Sequence, residues 1–199
     1  YINSYFPIDM LSLSKKEDFK LIHISTDCVF SGKKGAYNEY SDKDATDLYG
    51  ITKSKGEFDV KRNLTIRTSI IGPDLKKKGP GLFQWILNQS GQVRGYTNVL
   101  WSGVTTFELS RAIDFAISNS IDGIWNLTNA NAISKYELLS LIINEFNLSN
   151  LELIKDNSYN SNKSLISLRE IEYKVPSYVI MIKELREYFD DNNHLYRSY

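Results

Sequence analysis

The chain has 199 residues, 42% of them apolar and 24% charged, which places it among soluble globular proteins with one sizeable core, or one and a part. Its 24 basic and 24 acidic residues cancel, which argues against a protein held on nucleic acid by phosphate contacts. A single cysteine excludes an internal disulfide framework and fits a reducing compartment, and no apolar run approaches the roughly 18 residues of a membrane span. Residues 3–17 read as a helix with Ile8, Leu11 and Leu13 apolar, and residues 20–24 as a buried strand ending in the hydroxyls of Ser25 and Thr26. Residues 31–46, rich in Gly, Ser, Asp and Lys, read as a loop. Asp47 is placed to cap a helix over 48–61, and 64–69 reads as the next strand, ended by Gly72-Pro73. The run Lys76-Lys77-Lys78 reads as an exposed, solvated turn.

Further on, a short amphipathic helix is expected over 82–89 and a clearer one over 105–119. A strand follows at 124–128, and Ser134-x-x-Glu137 is a capping box that opens a helix reaching Phe146. Residues 151–154 alternate like a short strand, 156–164 are polar and irregular, and a last helix runs from after Pro176 to about Phe189. The polar tail from Asp190 is expected to fray. Strands alternating with helices indicate α/β architecture with a parallel sheet.

The chemistry concentrates at Tyr49 and Lys53. A helix sets residues i and i+4 on one face, one above the other. An ammonium beside a phenol favours the phenolate and draws the tyrosine pKa, near 10 when free, toward working pH. Thr26 stands at the carboxyl end of the preceding strand, where open α/β sheets hold their ligands, and its hydroxyl can hold a substrate oxygen or bond the local backbone. Spacing alone is a weak signal, because Tyr159 and Lys163 share it inside a polar stretch with no helical period and no strand before it. His23, on the buried strand, reads as a core histidine. With only two histidines in the chain, no metal site is expected.

The residues around this trio carry a family resemblance. Ser25-Thr26-Asp27-Cys28-Val29-Phe30-Ser31-Gly32, Tyr37-Asn38-Glu39 and Tyr49-Gly50-Ile51-Thr52-Lys53-Ser54-Lys55-Gly56-Glu57 resemble the extended short-chain dehydrogenase/reductase superfamily, and within it the dTDP-4-dehydrorhamnose reductase branch. Ile66-Arg67-Thr68-Ser69, Gly103-Val104-Thr105-Thr106 and Gly123-Ile124-Trp125-Asn126-Leu127 extend the likeness. It implies a Rossmann-like parallel sheet with a smaller α/β substrate-binding region. Residues 1–74 and a strand near 123–128 would form the part of the dinucleotide-binding domain present here, and 75–199 mainly the substrate-binding region. The Gly-rich cofactor turn of the family is not in this sequence, so two or three βαβ units, about 30 residues each, are expected upstream.

By the same resemblance, Thr26, Tyr49 and Lys53 are catalytic, and NADPH or NADH is contacted by Ile24, Tyr49, Lys53, Thr68 and Ser69. The substrate is contacted by Thr26, Asp27, Cys28, Ile70, Trp101, Gly103 and Lys163. Two residues depart from the branch: Cys28 stands where Tyr is usual, and Ile70 where Trp is usual. Cys28 reads as a small buried hydrophobe rather than a reactive thiol. Trp101 is open to either a stacking role or a core role, and Lys163 to either a diphosphate contact or plain solvation. The implied activity is reduction of a nucleotide-linked 4-keto-6-deoxy sugar in a cytoplasmic enzyme making surface-polysaccharide precursors. A 4-epimerase or related reductase, and a non-catalytic nucleotide-binding subunit, are the alternatives. The expected partner is a nucleotide sugar, with no nucleic acid or membrane, and a homodimer is left open.

Overall fold

The computed structural model describes residues 1–74 and 79–196, so the Lys76–Lys78 run lies outside the described residues. In chain order, α1 (Tyr5–Lys16) leads to β1 (Ile22–Ile24), a single 3-10 turn (Asp27–Val29), α2 (Leu48–Lys55), β2 (Leu64–Arg67) and β3 (Ile70–Ile71). Then come α3 (Leu82–Leu87), β4 (Gly91–Tyr96), β5 (Val99–Trp101), β6 (Val104–Thr105), α4 (Thr106–Ser118) and β7 (Gly123–Asn126). The chain continues with β8 (Ile133–Ser134), α5 (Lys135–Glu145), β9 (Leu151–Asp156), β10 (Ser161–Asn162), α6 (Tyr178–Asp191) and α7 (Asn193–Tyr196). None of the described helices is long and apolar enough to cross a membrane.

The architecture is α/β and Rossmann-like. Strands β1, β2 and β7 form a parallel sheet with β2 in the middle, in register at Ile24 with Ile66 and at Ile66 with Trp125. Parallel neighbours need a crossover, and α2 and α4 lie on the two connections. All four residues of β2 are buried, as expected of a central parallel strand covered on both faces. Pairing runs past the named strands: the Ser25 amide donates to the Ile66 carbonyl at 2.7 Å and the Leu127 amide to the Arg67 carbonyl at 2.8 Å. This sheet shares the main core with α3, α5 and α6, through Leu64, Ile66, Phe83, Ile86, Leu138, Ile142 and Leu185.

Three departures from the sequence reading have physical causes. First, α2 stops at Lys55 rather than 61, where the Gly56 amide folds back on the Lys53 carbonyl. Second, β4 and β9 pair in parallel over six positions, Gly91 to Tyr96 against Leu151 to Asp156. The segment Gly91-Gln92-Val93-Arg94-Gly95-Tyr96 has little strand propensity, so backbone pairing with a distant partner overrides it. Third, helix continues past Asp190, where fraying was expected: α7 forms, and Tyr196 stacks on Phe189 with ring centroids 5.3 Å apart, while residues 197–199 lie outside the described residues.

The loop 31–46 has no regular element but is tied down. Val29, Phe30, Tyr37 and Leu165 form a second small core, with Phe30 and Tyr37 stacked at 4.2 Å. The Tyr37 amide donates to the Ser164 carbonyl and the Ile166 amide to the Tyr37 carbonyl, each at 2.9 Å. These bonds bring segment 161–166, and Lys163 with it, to the carboxyl end of the main sheet.

Candidate active site

Thr26 follows β1 in extended conformation and caps the 3-10 turn: its hydroxyl accepts from the Cys28 amide at 3.1 Å and donates to Asp27 Oδ1 at 3.2 Å. The hydroxyl therefore bonds locally, and it also acts electrostatically on the Tyr49 phenol, lowering its pKa. Two features hold α2 against this turn. Asp47 caps the helix, accepting from the Gly50 amide at 2.9 Å. At Gly50 a β-carbon would sit 2.2 Å from the Cys28 carbonyl oxygen, so only glycine lets the helix come this close.

One turn along α2, Lys53 donates to the Ile24 carbonyl at 2.6 Å. Thr26, Tyr49 and Lys53 thus meet at the carboxyl end of β1. The expected effect of the lysine on the phenol is corrected here. Burial pushes the Tyr49 pKa up, and the negative charges available at Cys28, Asp27 and Asp47 push it further; Thr26 alone opposes them. Lys53 is drawn to the strand carbonyl instead, and its own pKa is lowered by burial, with Glu57 opposing. Tyr49 is half exposed and held as a neutral phenol.

Beneath the trio lies an ionic floor that the sequence reading did not single out. The Arg67 guanidinium is buried and donates twice to Glu57, from Nε to Oε1 and from Nη2 to Oε2, both at 2.9 Å. Ser25, next to Thr26, donates to Glu57 Oε1 at 2.6 Å, and Lys43 approaches Oε2 at 3.2 Å. Burial pushes the Glu57 carboxyl up, but Arg67, Ser25 and Lys43 outweigh it and hold the pKa below the ordinary value. His23 lies between the same groups, with Nε2 lacking a partner among the described residues. Burial, then the Lys53 charge, pull its pKa down to about 4, so it is a neutral core ring against Phe58.

The other expected site residues take varied positions. Asp27 is buried, and burial raises its carboxyl against the charges of Lys135 and Lys163. Burial and Asp27 push the Cys28 thiol up, which makes it an unreactive wall residue. Thr68 spends its hydroxyl on the Leu127 carbonyl at 2.9 Å, tying β2 to β7. Trp101 takes the core role of the two left open: it is 3% exposed, and its indole N–H donates to Ser69 Oγ at 2.9 Å. Gly103 is a close-approach position, where a β-carbon would lie 1.9 Å from the Ser69 carbonyl oxygen. Ile70 is half exposed at the sheet end. Lys163 follows β10 and acts electrostatically on Asp27, Cys28 and Asp47. Tyr159 and Lys163 do not share a helix.

Lys135 is a residue the sequence reading missed. The capping box at Ser134 and Glu137 makes it the first residue of α5. There its ammonium lies 5.2 Å from the centre of the Trp101 ring and is pulled down to about 8 by burial, against the opposing charges of Asp27 and Cys28. The box was legible in the sequence; the direction in which its first helical residue faces was not. No group of His, Cys, Asp and Glu among the described residues is arranged to hold a metal ion.

The fold is shared with proteins of known structure. A dTDP-4-dehydrorhamnose reductase from Bacillus anthracis in complex with NADP superposes with a TM-score of 0.79 at 18% identity, covering 96% of this chain and 72% of that one. The corresponding reductase from Yersinia enterocolitica gives 0.77 at 20% identity, over 94% and 72% of the two chains. A UDP-N-acetylglucosamine 4-epimerase from Methanobrevibacter ruminantium gives 0.74 at 14% identity, over 95% and 69%. No curated protein matches the chain. The family described as the RmlD substrate binding domain matches residues 1–165, which is most of the sequence and all three groups at the end of β1, and the chain belongs to that family.

Proposed function

We propose that the protein reduces the ketone of a nucleotide-linked 4-keto-6-deoxy sugar, using NADPH or NADH. The observation that carries this reading is the meeting of Thr26, Tyr49 and Lys53 at the carboxyl end of β1. In this reading residues 1–74 with β7 serve the cofactor side, residues 75–199 mainly the substrate side, and the enzyme works in the cytoplasm.

The donor set suits a nicotinamide cofactor. Lys53 has three N–H donors and spends one on Ile24, leaving two for ribose hydroxyls beside the strand end. Reduced nicotinamide, when bound, supplies the hydride. The chain's own groups handle the oxygen. Thr26 turns its O–H from Asp27 Oδ1 to the carbonyl and fixes it in place. Tyr49 delivers the proton, and its raised pKa keeps that proton on the phenol at neutral pH. Ile70 and Cys28 form the sugar's wall.

The 4-epimerase alternative uses the same trio but returns its cofactor unchanged, and it needs the tyrosine as a base as well as an acid. Mixing the protein with reduced nicotinamide cofactor and a nucleotide-linked 4-keto-6-deoxy sugar decides between them. Stoichiometric loss of reduced cofactor supports the reductase. Interconversion of sugar epimers without net loss supports the epimerase, and binding without turnover supports a non-catalytic subunit.

A further inference from the structure

Lys135 belongs to two places at once. Its ammonium acts on Asp27 and Cys28, directly after Thr26, and it also lines a cleft of about 740 Å³. Trp85, Tyr96 and Tyr159 stand on the walls of that cleft, each more than a third exposed, with Arg94 as a second cation. Tyr96 and Tyr159 are paired, their ring centroids 5.8 Å apart.

We propose that Lys135 binds the phosphate charge of a nucleoside diphosphate group lying between the carbonyl site and this aromatic cleft. The inference rests on the nucleotide-sugar reading above and assigns a residue to it. A lysine ammonium carries three donors. Among the described residues Lys135 makes no hydrogen bond and no ion pair within 4 Å; its close contact is the face of Trp101. A partly buried cation without a hydrogen-bonding partner is costly, and an arriving anion removes that cost. Trp101 is fixed by its bond to Ser69 and by Tyr178, whose ring centroid lies 5.5 Å away, so the surface under the ammonium is rigid. Arg94 is less suited to be the main anchor, since its side chain is largely exposed and 3.8 Å from Asp156.

The order of groups supports the assignment. A ketone held by Thr26 and Tyr49 places its sugar beside Asp27. A base stacked on the exposed rings occupies the far side of the cleft, because aromatic faces accept bases by stacking. The linkage between sugar and base then passes Lys135.

Calorimetric titration of the full chain with thymidine diphosphate, uridine diphosphate and the two unphosphorylated nucleosides tests this, in the wild type and in Lys135→Met and Lys135→Arg. The expected result is a loss of about tenfold or more in diphosphate affinity for Lys135→Met, the scale of a charge-assisted hydrogen bond. Nucleoside affinity should stay unchanged, and Lys135→Arg should retain most of the diphosphate affinity. Thermal melts of each variant establish that it is folded; if Lys135→Met does not fold, Lys135→Gln takes its place. Unchanged diphosphate affinity in Lys135→Met, or an equal loss for diphosphate and nucleoside, overturns the assignment while leaving the nucleotide-sugar reading standing. A wild type that binds neither diphosphate overturns both.

Discussion

The wall that carries Tyr49 and the wall that carries Lys135 are built by different means. Helix α2 is seated on the turn after β1 by a cap, a glycine and a lysine–carbonyl bond, all within residues 24–57. The other wall is assembled from short strands and a buried tryptophan, with partners up to about sixty residues apart, as in the pairing of Gly91 with Leu151. In the proposed reaction the first wall places hydroxyls for proton transfer. The second places an aromatic cleft and a charge, which suits recognition. The difference suggests that substitutions on α2 act chiefly on turnover, whereas those around Lys135 act chiefly on binding.

The sharpest way to break this division is Tyr49→Phe. Removing the acid should lower kcat by about 10²–10⁴-fold while leaving nucleotide affinity nearly unchanged in the same titration used for Lys135. A comparable loss of nucleotide affinity would show that the two walls are not separate in function.

Removing the floor should affect both walls. Glu57→Gln strips the buried Arg67 of its bidentate partner, a change worth roughly 3–5 kcal/mol of stability and a fall in Tm on the order of 10 °C. The pH dependence has a definite sign. The Glu57 pKa in the folded protein lies below the ordinary 4.5, so its pairing stabilises fully above that value and is lost as pH falls below it. Urea melts of the wild type should therefore weaken below about pH 4.5, and Glu57→Gln should flatten that decline.

Gly50→Ala puts a methyl group against the Cys28 carbonyl, costing about 1–3 kcal/mol. It should tilt α2 away from Thr26, and kcat should drop more than stability suggests. Equal kcat in a folded Gly50→Ala variant would show that close seating of the helix is not needed.

The two walls also differ in how far they could be read from the sequence. The i, i+4 pair on a capped helix after a strand-end threonine is a local pattern, so Thr26, Tyr49 and Lys53 were visible at once. The main sheet was legible for the same reason, since its strands are apolar runs flanked by helices. The other wall depends on pairing at a distance. Gly91–Tyr96 carries two glycines, β10 has two residues, and nothing near Lys135 in sequence announces that it lies over Trp101 and acts electrostatically on Asp27. The direction of the Tyr49 shift was missed because it depends on Cys28, Asp27 and Asp47 crowding the phenol, whereas Lys53 turns to Ile24.

In the proposed reaction Thr26 and Tyr49 act on one carbonyl oxygen. A double-mutant cycle on the single-turnover rate of ketone reduction, with Thr26→Val, Tyr49→Phe and the pair together, measures this most directly. Groups serving the same oxygen should be strongly non-additive, so the double variant should lose little more than the worse single variant. Losses that simply multiply would mean that the two side chains work independently and do not share one oxygen.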